Sequence, residues 1–140
     1  NSPEHIFVTG AGGPSIEHRE RERHLLSTND FKQKLVDYGG SPKEVLDNDE
    51  LYEFFEPILR NDFKAVETYF YTDWDKKFNF PITVAIGLSE SVSMDEARLW
   101  EKETSENVSV RQFPGGHFFI YEYTFELVKV IVKSLSNTNK

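Results

Sequence analysis

Apolar positions recur along this chain at two different spacings, and the change between them divides it. "HIFVTG" (residues 5–10) is apolar and β-branched and ends in glycine, so it predicts a strand. "AGGPS" then turns. "STNDFKQKLVDYGG" predicts a short helix capped by Thr28 or Asn29, with Phe31, Leu35 and Tyr38 on one face and Gly39 as its stop. "SPKEVLDN" offers Ser41 as a cap, Pro42 at the first helical position and Glu44 three residues after the cap. A longer helical pattern covers residues 49–71. Its stripe is Leu51, Phe54, Phe55, Ile58, Leu59, Phe63, Val66 and Phe70, and Pro57 should break or kink it. No strand pattern falls between Pro14 and Phe80, so residues 28–75 read as a helical insertion rich in aromatic side chains.

The strand pattern returns in "FPITVAIGLSE", where residues 82–86 are nearly all apolar, as in a parallel strand covered on both faces. "SMDEARLWEKET" follows with a capping box of Ser93 and Glu96, and with Ala97 and Trp100 facing inward. "NVSVRQF" alternates as a third strand. "TFELVKVIVKSL" is an amphipathic helix whose expected inner face is Phe125, Val128, Ile131 and Leu135. Strands alternating with helices predict an α/β fold with a parallel sheet. Three strands make a small sheet, and the chain opens on Asn1 rather than Met. Both features suggest a piece of something longer, and a truncated sheet edge would favour self-association.

A length of 140 residues suits one domain, here read as residues 1–140 with the insertion inside it. The net charge of −8 sets an overall field that repels a phosphate backbone, which argues against nucleic acid. "EHRERERH" (residues 17–24) concentrates Arg19, Arg21 and Arg23 among acids and reads as a solvated, ion-paired surface stretch. There is no cysteine, which removes thiolate catalysis, thiolate metal sites and disulfides and points to a cytoplasmic setting. No apolar run is long enough for a transmembrane helix. The four histidines, His5, His18, His24 and His117, show no metal-ligand spacing, and no cofactor motif is complete. Gly10, Gly12 and Gly13 resemble a phosphate loop only in part, because Pro14 and Ser15 stand where a helix-opening glycine is needed.

In open α/β sheets, reactive groups collect at the carboxyl ends of strands. The second strand ends in "GLSESVS", with Glu90, and the third in "PGGH", with His117. An acid behind a histidine is the orienting part of a nucleophilic triad. The order acid then histidine is that of α/β-hydrolases, and Gly115 and Gly116 suit a loop that presents a histidine. The plainer alternative is a packed histidine and a surface acid. The nucleophile elbow G-x-S-x-G is absent. "GLSES" comes nearest, but Ser89 lacks the closing glycine and leaves no strand for the acid.

Together, "LVDYGGSPKEVLDNDELYEFFEPILRNDFKAVETYFY", "PITVAIG", Trp100 and "FPGGHFFI" resemble the type II (external) thioesterases of nonribosomal peptide and polyketide synthesis. The medium-chain thioesterase of animal fatty acid synthesis is a relative of that family. The family's GG-x-P segment matches Gly39, Gly40 and Pro42. Its R-x-D-F/Y motif matches Arg60, Asp62 and Phe63, and its P-G-G-H-F string matches residues 114–118. The resemblance implies an α/β-hydrolase from its sixth strand onward, the C-terminal half of that fold, with residues 28–75 as a lid. It implies His117 as catalytic histidine and, in a G-x-x-D pattern, Glu90 as the acid, with Asp95 as the alternative. The implied activity is hydrolysis of acyl thioesters on a carrier protein's phosphopantetheine, with the nucleophilic serine outside this chain and no cofactor. The arginines of residues 17–24 would attract an acidic carrier. Two rival readings are a noncatalytic module that binds carrier proteins or acyl chains, and an α/β-hydrolase acting on oxygen esters.

Overall fold

The apolar run at residues 82–86 becomes the central strand of a three-stranded sheet. This strand, β2 (Ile82–Gly87), is buried at all six positions. It lies between β1 (Ile6–Thr9) and β3 (Val108–Phe113), and both pairings are parallel. The structure is a computed structural model that describes residues 3–16 and 21–138. It divides into two compact units, one from Asn1–Ile16 with Thr72–Lys140 and the other Glu17–Tyr71.

In the sheet unit, the alternation of β2 loads both faces. Ile82, Val84 and Ile86 cluster with Ala97, and Ile6, Val8, Trp100, Val108 and Val110 pack around them. Ala85, on the opposite face, clusters with Phe113 and Phe119. α4 (Met94–Arg98) starts at the expected capping box. Ser93 Oγ accepts the Glu96 N–H at 3.2 Å, and the Glu96 carboxylate accepts the Ser93 N–H at 2.8 Å. A 3₁₀ turn, Leu99–Lys102, continues it. A one-turn helix that the sequence pattern did not suggest, α5 (Phe119–Glu122), comes before α6 (Thr124–Thr138).

α6 presents a different face from the one expected. Leu127 and Val130 pack on the Ala85 cluster, whereas Phe125, Val128 and Leu135 are exposed. The helix is apolar on two sides, so its period identifies a helix without selecting the inward face.

The helical unit holds α1 (Thr28–Tyr38), α2 (Lys43–Leu46) and α3 (Asp49–Glu67). Its core is Phe31, Leu35, Leu46 and Tyr52, with Leu26, Leu59 and Phe63 against it. Ser27, not Thr28 or Asn29, caps α1 by accepting the Asp30 N–H at 3.2 Å. Pro42 occupies the cap position of α2, so Ser41 and Glu44 form no capping box.

α3 begins at the Asn48 cap, runs through Pro57 and stops at Glu67. Pro57 and Glu53, whose carbonyl loses its helical donor, are both exposed, so water can serve that carbonyl. Of the stripe expected over residues 49–71, Leu59 and Phe63 pack on the core, while Leu51, Phe54, Phe55, Ile58 and Val66, and Phe70 beyond the helix end, are exposed. Among the described residues, no helix is long and apolar enough to cross a membrane.

Candidate active site

The parallel register brings the carboxyl ends of the three strands level, pairing Thr9 with Ala85 and Gly87 with Phe113. The loops beyond them are joined by backbone hydrogen bonds. Gly10 N–H donates to Ala85 O at 2.9 Å, Leu88 N–H to Phe113 O at 2.8 Å, and Ser89 N–H to Gly115 O at 2.9 Å. Glu90 and His117 therefore leave neighbouring strand ends on a braced frame. Gly87 is needed for this closeness, because a Cβ there would run into the carbonyls of Gly115 and Gly116.

Glu90 folds back over its own turn. One carboxylate oxygen accepts the Gly87 N–H at 2.5 Å, and the other meets His117 Nδ1 at 2.9 Å. The Glu90 side chain is 1% exposed and that of His117 is 53% exposed. A buried carboxylate with two donors is satisfied, which removes the cost of stranding it. An ionised carboxylate can only accept, so the proton of this bond sits on Nδ1. Nε2 keeps its lone pair on an open ring and can take a proton from a group placed before it. Phe118 meets the imidazole edge-on with ring centres 4.9 Å apart, and Tyr121 stacks on Phe118 at 6.0 Å.

Ser89 is exposed in the turn that carries Glu90, and Asp95 is exposed in the first turn of α4. It is Glu90 that bonds the histidine. The N–H of Gly13 is taken by Glu96 O at 2.9 Å, which leaves it unavailable to a phosphate. Among the described residues, no group of three His, Cys, Asp or Glu could hold a metal ion.

Two motif residues of the helical unit, Arg60 and Phe63, have packing duties, while Asp62 is exposed. Arg60 donates to His24 O and to Glu56, both at 2.8 Å, and its guanidinium lies 4.4 Å from the centre of the Phe31 ring. Phe63 meets the same ring edge-on at 5.3 Å.

Sequence reasoning missed a buried acid in this unit. Glu67, only 4% exposed, receives Arg23 Nε at 2.6 Å and His24 Nδ1 at 2.5 Å. Burial alone would raise its carboxyl. Hydrogen bonds from His24 and Arg23 outweigh that and hold it below the ordinary glutamate range. The signal was present in the spacing, since Glu67 follows Phe63 by four residues and so shares its face of α3. The reading of residues 17–24 as a solvated stretch is corrected at Arg23 and His24, which are partly buried. Residues 17–20 lie outside the described residues.

Comparisons with known proteins match nearly the whole chain. The model of the thioesterase domain family matches residues 1–135. The chain is 34% identical over 135 residues to the gramicidin S biosynthesis protein GrsT of Aneurinibacillus migulanus, covering 96% of this chain and 52% of that protein. It is 31% identical over 142 residues to the medium-chain S-acyl fatty acid synthase thioesterase of Anas platyrhynchos, covering 98% and 56%. Among solved structures, ClbQ from the colibactin NRPS/PKS pathway matches with a TM-score of 0.90 at 28% identity, over 99% of this chain and 59% of that one. The chain thus spans about half the length of the relatives it matches.

Proposed function

Because the chain belongs to the thioesterase domain family, we propose that it is the histidine-and-acid part of an enzyme that hydrolyses acyl thioesters on a carrier protein's phosphopantetheine. The observation that carries this reading is the Glu90–His117 pair, bonded at 2.9 Å beyond two adjacent strand ends. The names of the relatives support the substrate class, since they belong to gramicidin S and colibactin biosynthesis and to fatty acid synthesis.

The chemistry follows from the free Nε2. A serine outside residues 1–140 gives its proton to His117 as its oxygen attacks the thioester carbon. The resulting imidazolium is held by Glu90. Collapse expels the pantetheine sulfur, which takes that proton and leaves as a thiol, and an acyl-serine remains. Water then gives a proton to Nε2 and attacks the ester. The acid departs, and the proton returns to the serine. The helical insertion, residues 28–75, serves as the lid, and its exposed Phe54, Phe55 and Ile58 are suited to an apolar acyl chain. The carrier protein is the partner.

Intact-mass analysis after a serine-directed fluorophosphonate tests this, using the chain alone and the complete gene product. The expected adduct appears only on the complete product, on a serine outside these residues, and that product hydrolyses acyl-pantetheine in preference to an oxygen ester. An adduct at Ser89 would displace the mechanism, and a preference for oxygen esters would displace the substrate class. A complete product that takes no adduct and binds acyl chains without turnover would make this a binding module.

A further inference from the structure

Gly10 is the first residue past β1. Its φ is +63°, and its N–H is tied to Ala85 O at 2.9 Å. That bond holds its Cα at the carboxyl edge of the sheet. A Cβ added there would lie 2.7 Å from His117 Cε1, 2.9 Å from His117 Nδ1 and 3.5 Å from the Glu90 oxygen that His117 bonds. Comfortable carbon contacts begin at about 3.5 Å. The missing side chain is therefore the space filled by the Nδ1–Cε1 edge of the imidazole, the edge on which the bond to Glu90 depends.

Backbone conformation alone does not account for this crowding. Gly39 has a similar φ of +70° and nothing within 4 Å of an added Cβ. It carries the left-handed cost without a neighbour.

We propose that Gly10 is a positioning residue for His117. Its bare Cα forms a wall that, with Glu90, keeps Nδ1 on the carboxylate and Nε2 turned outward. This rests on reading His117 as the base of the site. The ring is the part that gives way when the space is filled. It is half exposed and has solvent to turn into, whereas Gly10 is held by the β2 backbone. A methyl group at residue 10 thus separates the ring from Glu90 while leaving the sheet intact. The uncoupled ring is no longer restricted to the Nδ1–H tautomer.

The test is 15N NMR of the imidazole nitrogens, at a pH where the ring is neutral, in the protein and in Gly10→Ala, Gly10→Asn, Gly39→Ala and Glu90→Ala. His117→Gln assigns the signal. Asn adopts left-handed backbone more readily than Ala, so Gly10→Asn adds a Cβ at lower backbone cost. The Nδ1–H tautomer is expected in the parent and in Gly39→Ala, and its loss is expected in both Gly10 variants, as in Glu90→Ala. In the complete gene product, Gly10→Ala should lower kcat for acyl-pantetheine about 100-fold with KM changed less than about 3-fold, as for a small displacement of a catalytic group.

Retention of the Nδ1–H tautomer in both Gly10 variants overturns the proposal. So does failure of both to fold, since the ring and not the backbone is expected to yield. The tautomer result stands apart from the thioesterase reading. If the parent turns over no thioester while Gly10→Ala still shifts the tautomer, that reading fails and the positioning role holds.

Discussion

Glu90 is one methylene longer than the aspartate of the G-x-x-D pattern, and the structure uses the added length. The side chain turns back far enough for one oxygen to take the Gly87 N–H while the other holds His117. Glu90→Gln keeps the size of the side chain and removes the charge that stabilises an imidazolium. In the complete gene product, kcat for acyl-pantetheine should fall by up to about 10⁴-fold, the scale seen when a triad histidine loses its acid. Circular dichroism should report an unchanged fold. The pair was legible in the sequence because Glu90 and His117 each follow an apolar strand within four residues, at the ends where a parallel sheet gathers reactive groups. The role of Gly10 was not. It depends on the register that sets Thr9 beside Ala85, which no local spacing encodes.

At the scale of elements, α3 and α6 show where hydrophobic period runs short. Both read as helices from the sequence, but α6 turns a different face inward and α3 buries only Leu59 and Phe63 of its apolar stripe. On α3 the buried face ends in a charge, Glu67, which a search for apolar positions passes over. The Glu67 carboxyl lies below its ordinary range. Below that range the unfolded chain binds the proton more readily than the folded one, so the stabilisation is present above the ordinary glutamate value and lost as pH falls toward the folded one. His5 in the sheet unit adds the same sign, because burial lowers it and acid must charge it on unfolding. Denaturant midpoints measured against pH should therefore fall on the acid side, and Glu67→Gln should flatten the part due to the helical unit. α3 offers a second measurement. Pro57 removes one hydrogen bond from its middle, so Pro57→Ala should stabilise the helical unit by up to about 3 kcal/mol in a denaturation series.

At the scale of the molecule, the parallel α/β order was readable because a strand buried on both faces has an apolar signature that a half-buried strand lacks. Completeness of the sheet is a separate matter. Among the described residues, β1 pairs only with β2 and is an edge strand. On α6, Phe125, Val128, Val132 and Leu135 form an exposed apolar row. An unpaired edge and an exposed apolar row each favour association of like chains. Light scattering on the isolated 140-residue chain should show dimers or larger species, and a monodisperse monomer would count against this. The account as a whole rests on His117 acting as the base. The most direct measurement is turnover of an acyl carrier protein thioester by the complete gene product and its His117→Ala variant. A loss in kcat of about 10³-fold or more with a KM near that of the parent is the result expected of a lost base. Undiminished turnover in His117→Ala would contradict it.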